Sequence, residues 1–438
     1  MEMFVSNIFS RISGILKKPF VRNVTIVASG TAAAQAITMA FSPLITRIYG
    51  AEAFGLLGVF NALVSVVTPI AALTYPIAIV LPKEDAEAKG LVKLSSLIAF
   101  VVFIIVSIVL LIGGKSLLAM LDSEAIAPYV MLVPFSILFT AFVQIAQQWL
   151  IRKKLFDIRA KVAVLQSFLL NIAKTGIGLI KPVGAVLVTL ATLGHGLHSV
   201  LLWFGIKKSG DLAHNVTNNE KSKMSLRNLA MKYYDFPLYR APQGFLNAIS
   251  QSLPVLMLAS FFGPAAAGFY SIGRTVLAMP STLVGQAVGD VFYPRITEAF
   301  HRGEDLTRLI LKATIALAVV GFLPFAVIVA FGPQVFSFVF GGEWVKAGEY
   351  ARWMALWLFF SFLNRPSVVA IATLSIQRFF LIFEIVTMMT RVAGLALGFL
   401  IFKDDVVATM LFSLSGMLLN IYLIFKTLKY AKSSRKIL

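Results

Sequence analysis

Twelve runs of mostly apolar residues, each long enough to cross roughly 30 Å of hydrocarbon as a helix, dominate this chain. They cover 22–48, 53–81, 90–113, 125–150, 158–180 and 183–206, then 233–262, 265–293, 307–331, 348–376, 379–402 and 405–426. A backbone in lipid must satisfy its own polar groups, so only helices and closed barrels span a bilayer. Period-two alternation is absent, and the runs are far longer than the ~10-residue strands of a barrel, which leaves helices. The composition agrees: 58% of the 438 residues are hydrophobic and 13% are charged, against about 25% charged in a soluble domain. A water-soluble enzyme is excluded. The lack of cysteine removes disulfides, thiolate metal sites and cysteine nucleophiles.

The net charge of +19 would suggest nucleic acid if it were clustered on a polar domain. Here the charges sit in short gaps between apolar runs, which points to membrane topology and anionic lipid instead. Of the 39 Lys and Arg residues, 28 fall on the side shared by both termini, 6 on the other side and 5 inside spans. Positive charge collects in the cytoplasm, so both termini are expected inside, with an even number of spans. The expected organisation is a cytoplasmic amphipathic segment (1–21), with Phe4, Ile8, Ile12 and Ile15 at helical spacing, and a six-helix lobe (22–206). A cytoplasmic linker (207–232), a second six-helix lobe (233–426) and a basic tail (427–438) follow.

The two halves repeat. Tyr49-Gly50 and Phe54-Gly55 correspond to Phe262-Gly263 and Ala267-Gly268 at an offset of 213, and Gly113…Glu124 corresponds to Gly332…Glu343 at an offset of 219. An even number of helices per half makes the repeats parallel, related by an axis along the membrane normal, with the substrate path between them.

No enzymatic constellation is present. Gly114-Lys115-Ser116 has the tail of a phosphate-binding loop, but Val109 occupies the position of its first glycine. His195 and His198 have metal-ligand spacing but no nearby carboxylate or thiol, so they read as helix-packing residues with protonation as the alternative. Asp404 and Asp405 read as solvated charge in a short turn. No cofactor and no metal are expected.

Polar residues inside the spans are better organised. Arg240, Gln243, Asn247 and Gln251 share one helical face in the seventh span, and Thr31, Gln35, Thr38 and Ser42 share one in the first. Asn61, Ser65 and Thr68 lie in the second span. Thr140, Gln144, Gln147 and Gln148 lie in the fourth, and Ser167, Asn171 and Lys174 in the fifth. The eighth carries Ser271, Thr275, Thr282, Gln286 and Asp290, with Arg274 at the stripe's edge. Such residues commonly hydrogen-bond between helices. Stripes of this length in both halves equally suit a water-filled cavity, because each unpaired buried amide costs ~1–3 kcal/mol.

Five cations lie inside spans: Lys174, Arg240, Arg274, Arg365 and Arg391. An arginine at mid-bilayer costs at least ~2.5–3.5 kcal/mol, so it should face a protein interior or a pathway. Glu384 and Arg391 share a face at i, i+7, which suits an ion pair. Arg365, beside Pro366, is placed to satisfy carbonyls freed by a helix break. Arg240, Arg274 and Lys174 have no acid in their own spans able to pair with them, and surplus cations predict an anionic, phosphate-bearing substrate. Glu384, Asp290 and Asp235 are the acids available for coupling to H+ or Na+.

At these residues the chain resembles a known family. The run DFPLYRAPQGFLNAISQSLPVLMLASFFGPAAAGFYSIGRTVLAMPSTLVGQAVGDVFYP (235–294) is similar to the seventh and eighth helices of bacterial polysaccharide-repeat-unit flippases of the multidrug/oligosaccharidyl-lipid/polysaccharide exporter superfamily. PLITRIYGAEAFGLLGVF (43–60) resembles that family's first hairpin, and FGPQVFSFVFGGEWVKAGEYARWMAL (331–356) its entry to the tenth helix. The resemblance implies an all-α polytopic protein whose two six-helix lobes enclose a V-shaped cavity. It implies transfer of an undecaprenyl-diphosphate-linked oligosaccharide (for O-antigen, capsule or exopolysaccharide) to the outer leaflet by alternating access, upstream of polymerase and assembly proteins. It also implies a cationic cavity to which Arg47, Arg240, Arg274 and Arg365 would contribute. A multidrug/cation antiporter of the same superfamily would require cavity acids. A membrane polymerase or ligase would require a larger outer loop than 114–124 or 332–347.

Overall fold

The computed structural model describes residues 19–120, 124–210, 225–374 and 376–434, and every regular element among them is helical. The expected amphipathic segment and most of the linker lie outside the described residues. Twelve principal helices follow in order. The first five are α1 (Pro19–Val67), α2 (Asp85–Met120), α3 (Leu132–Arg152), α4 (Phe156–Ile180) and α5 (Gly184–Lys208). Next come α6 (Ala241–Phe262), α7 (Pro264–His301) and α8 (Leu306–Phe340). The last are α9 (Val345–Leu363), α10 (Arg365–Thr373), α11 (Gln377–Leu397) and α12 (Asp405–Ser434).

Helices and spans do not map one to one, for physical reasons. The 49 residues of α1 would measure about 74 Å at 1.5 Å per residue, more than two hydrocarbon thicknesses. The helix turns at Gly50, whose φ of 69° and ψ of 174° are open to glycine at no steric cost, so α1 supplies spans one and two. Conversely, α9 and α10 meet at a 45° bend and together form span ten. Among the described residues nine helices are long and apolar enough to cross a membrane, or ten with the bent pair. Dividing α1 at its kink and adding the 38-residue α7, which carries Arg274 and Asp290, accounts for all twelve expected spans.

By contacts the chain forms two compact units: Phe60–Ser252 with the described residues up to Ile48, and Leu253–Leu438 with Tyr49–Val59. In the first unit, Leu91, Trp149, Leu150, Leu202 and Ile206 build a buried core, and the Ser136 hydroxyl donates to Thr192 (2.8 Å) between α3 and α5. Large apolar side chains such as Ile104, Ile108, Leu111 and Ile112 of α2 face outward, as acyl-chain contact requires.

The second unit contains the repeat's clearest trace. Gly263 has φ 86° and ψ 173°, almost the values of Gly50 213 positions earlier. A Cβ on Gly55 would collide with the backbone of Pro264, and one on Gly268 with the backbone of Ala51. Those contacts exchange under the same offset, so the two hairpins pack reciprocally and both glycines are required for backbone approach. The other correspondence is not repeated in packing: a Cβ on Gly332 would strike the Gly348 carbonyl, whereas one on Gly113 would meet nothing within 4 Å.

Candidate functional site

The entry to the seventh span is held by its surroundings. A π-helical turn, Phe236–Arg240, precedes α6, and the Phe236 carbonyl accepts a hydrogen bond from Thr74 Oγ1 (2.9 Å), a residue in left-handed conformation. Gly244 lets α6 approach Pro69, where a Cβ would sit 3.0 Å from the ring. Ala241, Ser252, Val255 and Ala259 are buried along the packed face of α6. The neighbouring face carries Arg240, Gln243, Asn247 and Gln251, all exposed. One turn before α6, Asp235 is exposed as well.

The polar residues of the first and fifth spans are arranged otherwise. Ser167 of α4 donates to the Ala34 carbonyl (2.9 Å) and shares a 2.9 Å hydrogen bond with Thr38 of α1. Asn171 Nδ2 bonds the Ser167 carbonyl (2.7 Å) and reaches Thr38 Oγ1 at 3.4 Å. These side chains join two helices and are consumed in doing so. Gln35 lies half-buried one turn before Thr38, its Oε1 buried and unpartnered among the described residues. Gln144 and Lys174 are half-buried; Asn61 and Arg47 are exposed. His195 and His198 are half-buried on α5, and no group of three or more metal-ligating side chains gathers among the described residues.

In the second unit Arg274 is half-buried and Arg365 exposed. Arg365 makes no hydrogen bond to the carbonyls of the α9–α10 break among the described residues. Asn364 crosses the break instead, donating from Nδ2 to Asn420 Oδ1 (2.9 Å) of α12. The i, i+7 ion pair is also replaced: Glu384 is exposed, and the Arg391 guanidinium lies 3.7 Å from the Trp357 ring centroid and 4.5 Å from that of Phe412. Seven residues separate the charges by about 10.5 Å along the axis, whereas the rings lie alongside. The Asp290 side chain lies outside the described residues. Asp404 caps α12 by accepting from Val407 N (2.8 Å), and Asp405 pairs with Lys346 (2.7 Å) rather than standing in solvent.

A charge cluster that sequence reasoning missed ties together segments of the first unit. Arg152 and Lys153 both bind Asp85, at 3.0 and 2.5 Å, and Arg152 also donates to the Pro82 carbonyl (2.5 Å). Lys232 and the Tyr233 hydroxyl converge on Glu87, at 2.5 and 2.9 Å. These cations read as topology signals; their spacing in sequence contains nothing of their partners.

Among solved structures the chain is similar to a multidrug-resistance transporter of the MATE family and MOP superfamily in an inward-facing conformation, with TM-score 0.70, 16% identity and coverage of 96% of this chain and 99% of that one. An outward-facing MATE-family transporter matches with TM-score 0.61, 13% identity and coverage of 94% and 96%. A MOP-superfamily transporter from Pyrococcus furiosus, described as having a binding pocket of reverse polarity that suggests a different function, matches with TM-score 0.54, 12% identity and coverage of 95% and 94%. No curated protein sequence matches. The fold is therefore the twelve-helix, two-lobe architecture of the MATE type, and the chain is a multi-pass membrane protein. The chain belongs to the polysaccharide biosynthesis protein family, whose model matches residues 44–349.

Proposed function

We propose that this protein is a flippase moving an undecaprenyl-diphosphate-linked oligosaccharide repeat unit, for O-antigen, capsule or exopolysaccharide, from the inner to the outer leaflet of a bacterial cytoplasmic membrane by alternating access. It acts as a transporter, not an enzyme. The observation that carries the reading is the exposed polar stripe that runs from Arg240 into α6, where a guanidinium (Arg240) and the amides of Gln243 and Asn247 stand exposed within a membrane-spanning segment, with exposed Gln251 one turn further on. Sugar hydroxyls cost roughly 1–3 kcal/mol each to bury unpaired, and an amide ladder replaces the water they lose. Arg240, with Arg47, Arg274 and Arg365 elsewhere, supplies the charge that a diphosphate requires, and Arg suits phosphate through its bidentate geometry. Family membership supports the polysaccharide pathway.

Both termini are assigned to the cytoplasm by the excess of Lys and Arg on their side. Moving two negative charges outward along an inside-negative potential of 100 mV is favourable by about 4–5 kcal/mol, enough to bias transport without ATP. Exposed Glu384 and Asp235, with Asp290, are the candidates for coupling to H+ or Na+, and the product would pass to polysaccharide polymerase and assembly proteins.

The test is transport of defined lipid-linked sugars in proteoliposomes, with and without a membrane potential and H+ or Na+ gradients. Outward transfer that depends on the diphosphate is expected. The antiporter reading draws on the likeness to multidrug transporters. Gradient-driven efflux of cationic dyes, with no movement of lipid-linked sugar, would establish it in place of the flippase.

A further inference from the structure

Two helices of the first unit leave an open groove beside their line of contact. Gly30 of α1 packs directly on α4, where a Cβ would stand 2.4 Å from the Ala160 methyl, and further along Ser167 donates to the Ala34 carbonyl. The helices therefore run side by side in the same direction. The groove next to that contact measures about 790 Å³, and its walls are Ile26, Ala33 and Ile37 of α1 with Val164, Leu165 and Phe168 of α4. Ala33, Leu165 and Phe168 are exposed, so the groove is open along its side. Within membrane-spanning segments an apolar opening of this kind suits acyl chains rather than water.

Its charged groups are confined to one end. Asp157 and Lys161 line the groove where α4 begins, 3.5 Å apart and both largely exposed, and the Ser29 hydroxyl donates to the Ile26 carbonyl (3.1 Å). From Asp157 to Phe168 the α4 wall rises about 17 Å at 1.5 Å per residue, a little over half of the roughly 30 Å hydrocarbon layer. Charge at the membrane edge and apolar walls for the depth of one leaflet match the form of a single phospholipid. We propose that this groove holds one phospholipid with a phosphoethanolamine headgroup, its phosphate on Lys161, its ammonium on Asp157 and an acyl chain against Leu165 and Phe168. Charge selects the headgroup. A singly anionic headgroup gains at Lys161 and loses at neighbouring Asp157, whereas a zwitterion gains at both. A choline headgroup carries the same charges but has no N–H to donate to the carboxylate. The Lys161–Asp157 pair is exposed, so exchanging it for these contacts costs little.

Native mass spectrometry of the purified full chain, with equal amounts of phosphatidylethanolamine, phosphatidylglycerol and phosphatidylcholine of the same acyl chains, tests this. The wild type should retain one phosphatidylethanolamine at least about threefold more than either competitor, the scale of an exposed ion pair. Either competitor retained equally well, or no lipid retained at all, overturns the proposal. Ala33→Trp, which fills the groove from an exposed position, should remove the retained lipid. Asp157→Lys, which leaves two cations at the groove's end, should turn the preference to phosphatidylglycerol. Undiminished retention in the first variant or an unchanged preference in the second also overturns the site. No arm reads sugar transport or touches the α6 stripe, so failure here leaves the flippase reading standing, and the reverse.

Discussion

In the fifth span Ser167, Asn171 and Lys174 mark one helical face; in the seventh Arg240, Gln243, Asn247 and Gln251 do the same. Both stripes lie in the first unit, and the spacing within them is equally regular. Yet Ser167 and Asn171 are buried and bonded to Thr38 and Ala34 of α1, whereas the four residues of the seventh span are exposed. The difference lies in what stands opposite. α4 faces a helix that offers a hydroxyl and a carbonyl within 3 Å, while α6 packs through Ala241, Ser252, Val255 and Ala259 beside its stripe, and through Gly244 at the stripe's edge, where a Cβ would sit 3.0 Å from Pro69. A polar stripe in a membrane helix is thus a request for partners; in the fifth span a neighbouring helix answers it, and in the seventh the stripe stands exposed, which is the arrangement the proposed function uses.

Three measurements break or sharpen that contrast. The largest effect is expected from Arg240→Glu, which reverses charge on the open stripe. Transport of lipid-linked sugar should fall at least about tenfold, equivalent to about 1.4 kcal/mol, at unchanged protein level. Normal transport would mean that the open stripe is not used. Next is Asn171→Leu in the bonded stripe: thermal stability should drop by about 1 kcal/mol, within the range of interhelical hydrogen bonds in membranes, while transport per folded molecule stays the same. If transport changes and stability does not, the two stripes have been assigned the wrong way round.

The smallest effect is expected where a cation is already paired in water. Arg295 binds Glu304 at 2.5 Å, and that hydrogen bond holds the Glu304 carboxyl below the ordinary range. A depressed carboxylate stabilises the fold above its unfolded pKa of about 4.3 and loses that contribution as pH falls through its folded value. Glu304→Gln should therefore lower the unfolding temperature slightly at neutral pH, by an amount that vanishes in acid. The pair is solvent-exposed, and salt should shrink the difference further.

Much of the architecture was legible in the residues. The twelve apolar runs reappear as helical spans, and Gly50 and Gly263, matched by sequence offset, adopt the same backbone conformation. The candidate site was legible only as a set of stripes and charges. Arg391 shows why: its i, i+7 relation to Glu384 was visible, but Trp357 and Phe412, which sit against it, come from other helices. Asn364 was hidden beside the more conspicuous Arg365, although it is Asn364 that bridges the helix break to Asn420.

The sequence by itself determined what is local: apolar runs of bilayer length, helical periodicity within them, glycines where the chain turns, and the excess of positive charge on one side. Each depends on residues within a few turns of one another, where 3.6 residues per turn fixes what is adjacent. Only the tertiary structure decided which stripe was buried and which exposed, which rings lay against Arg391, and that the two hairpins would meet at Gly55 and Gly268. Those outcomes depend on contacts within about 4 Å between residues up to two hundred positions apart. Helix periodicity orients a side chain but does not name what it will meet.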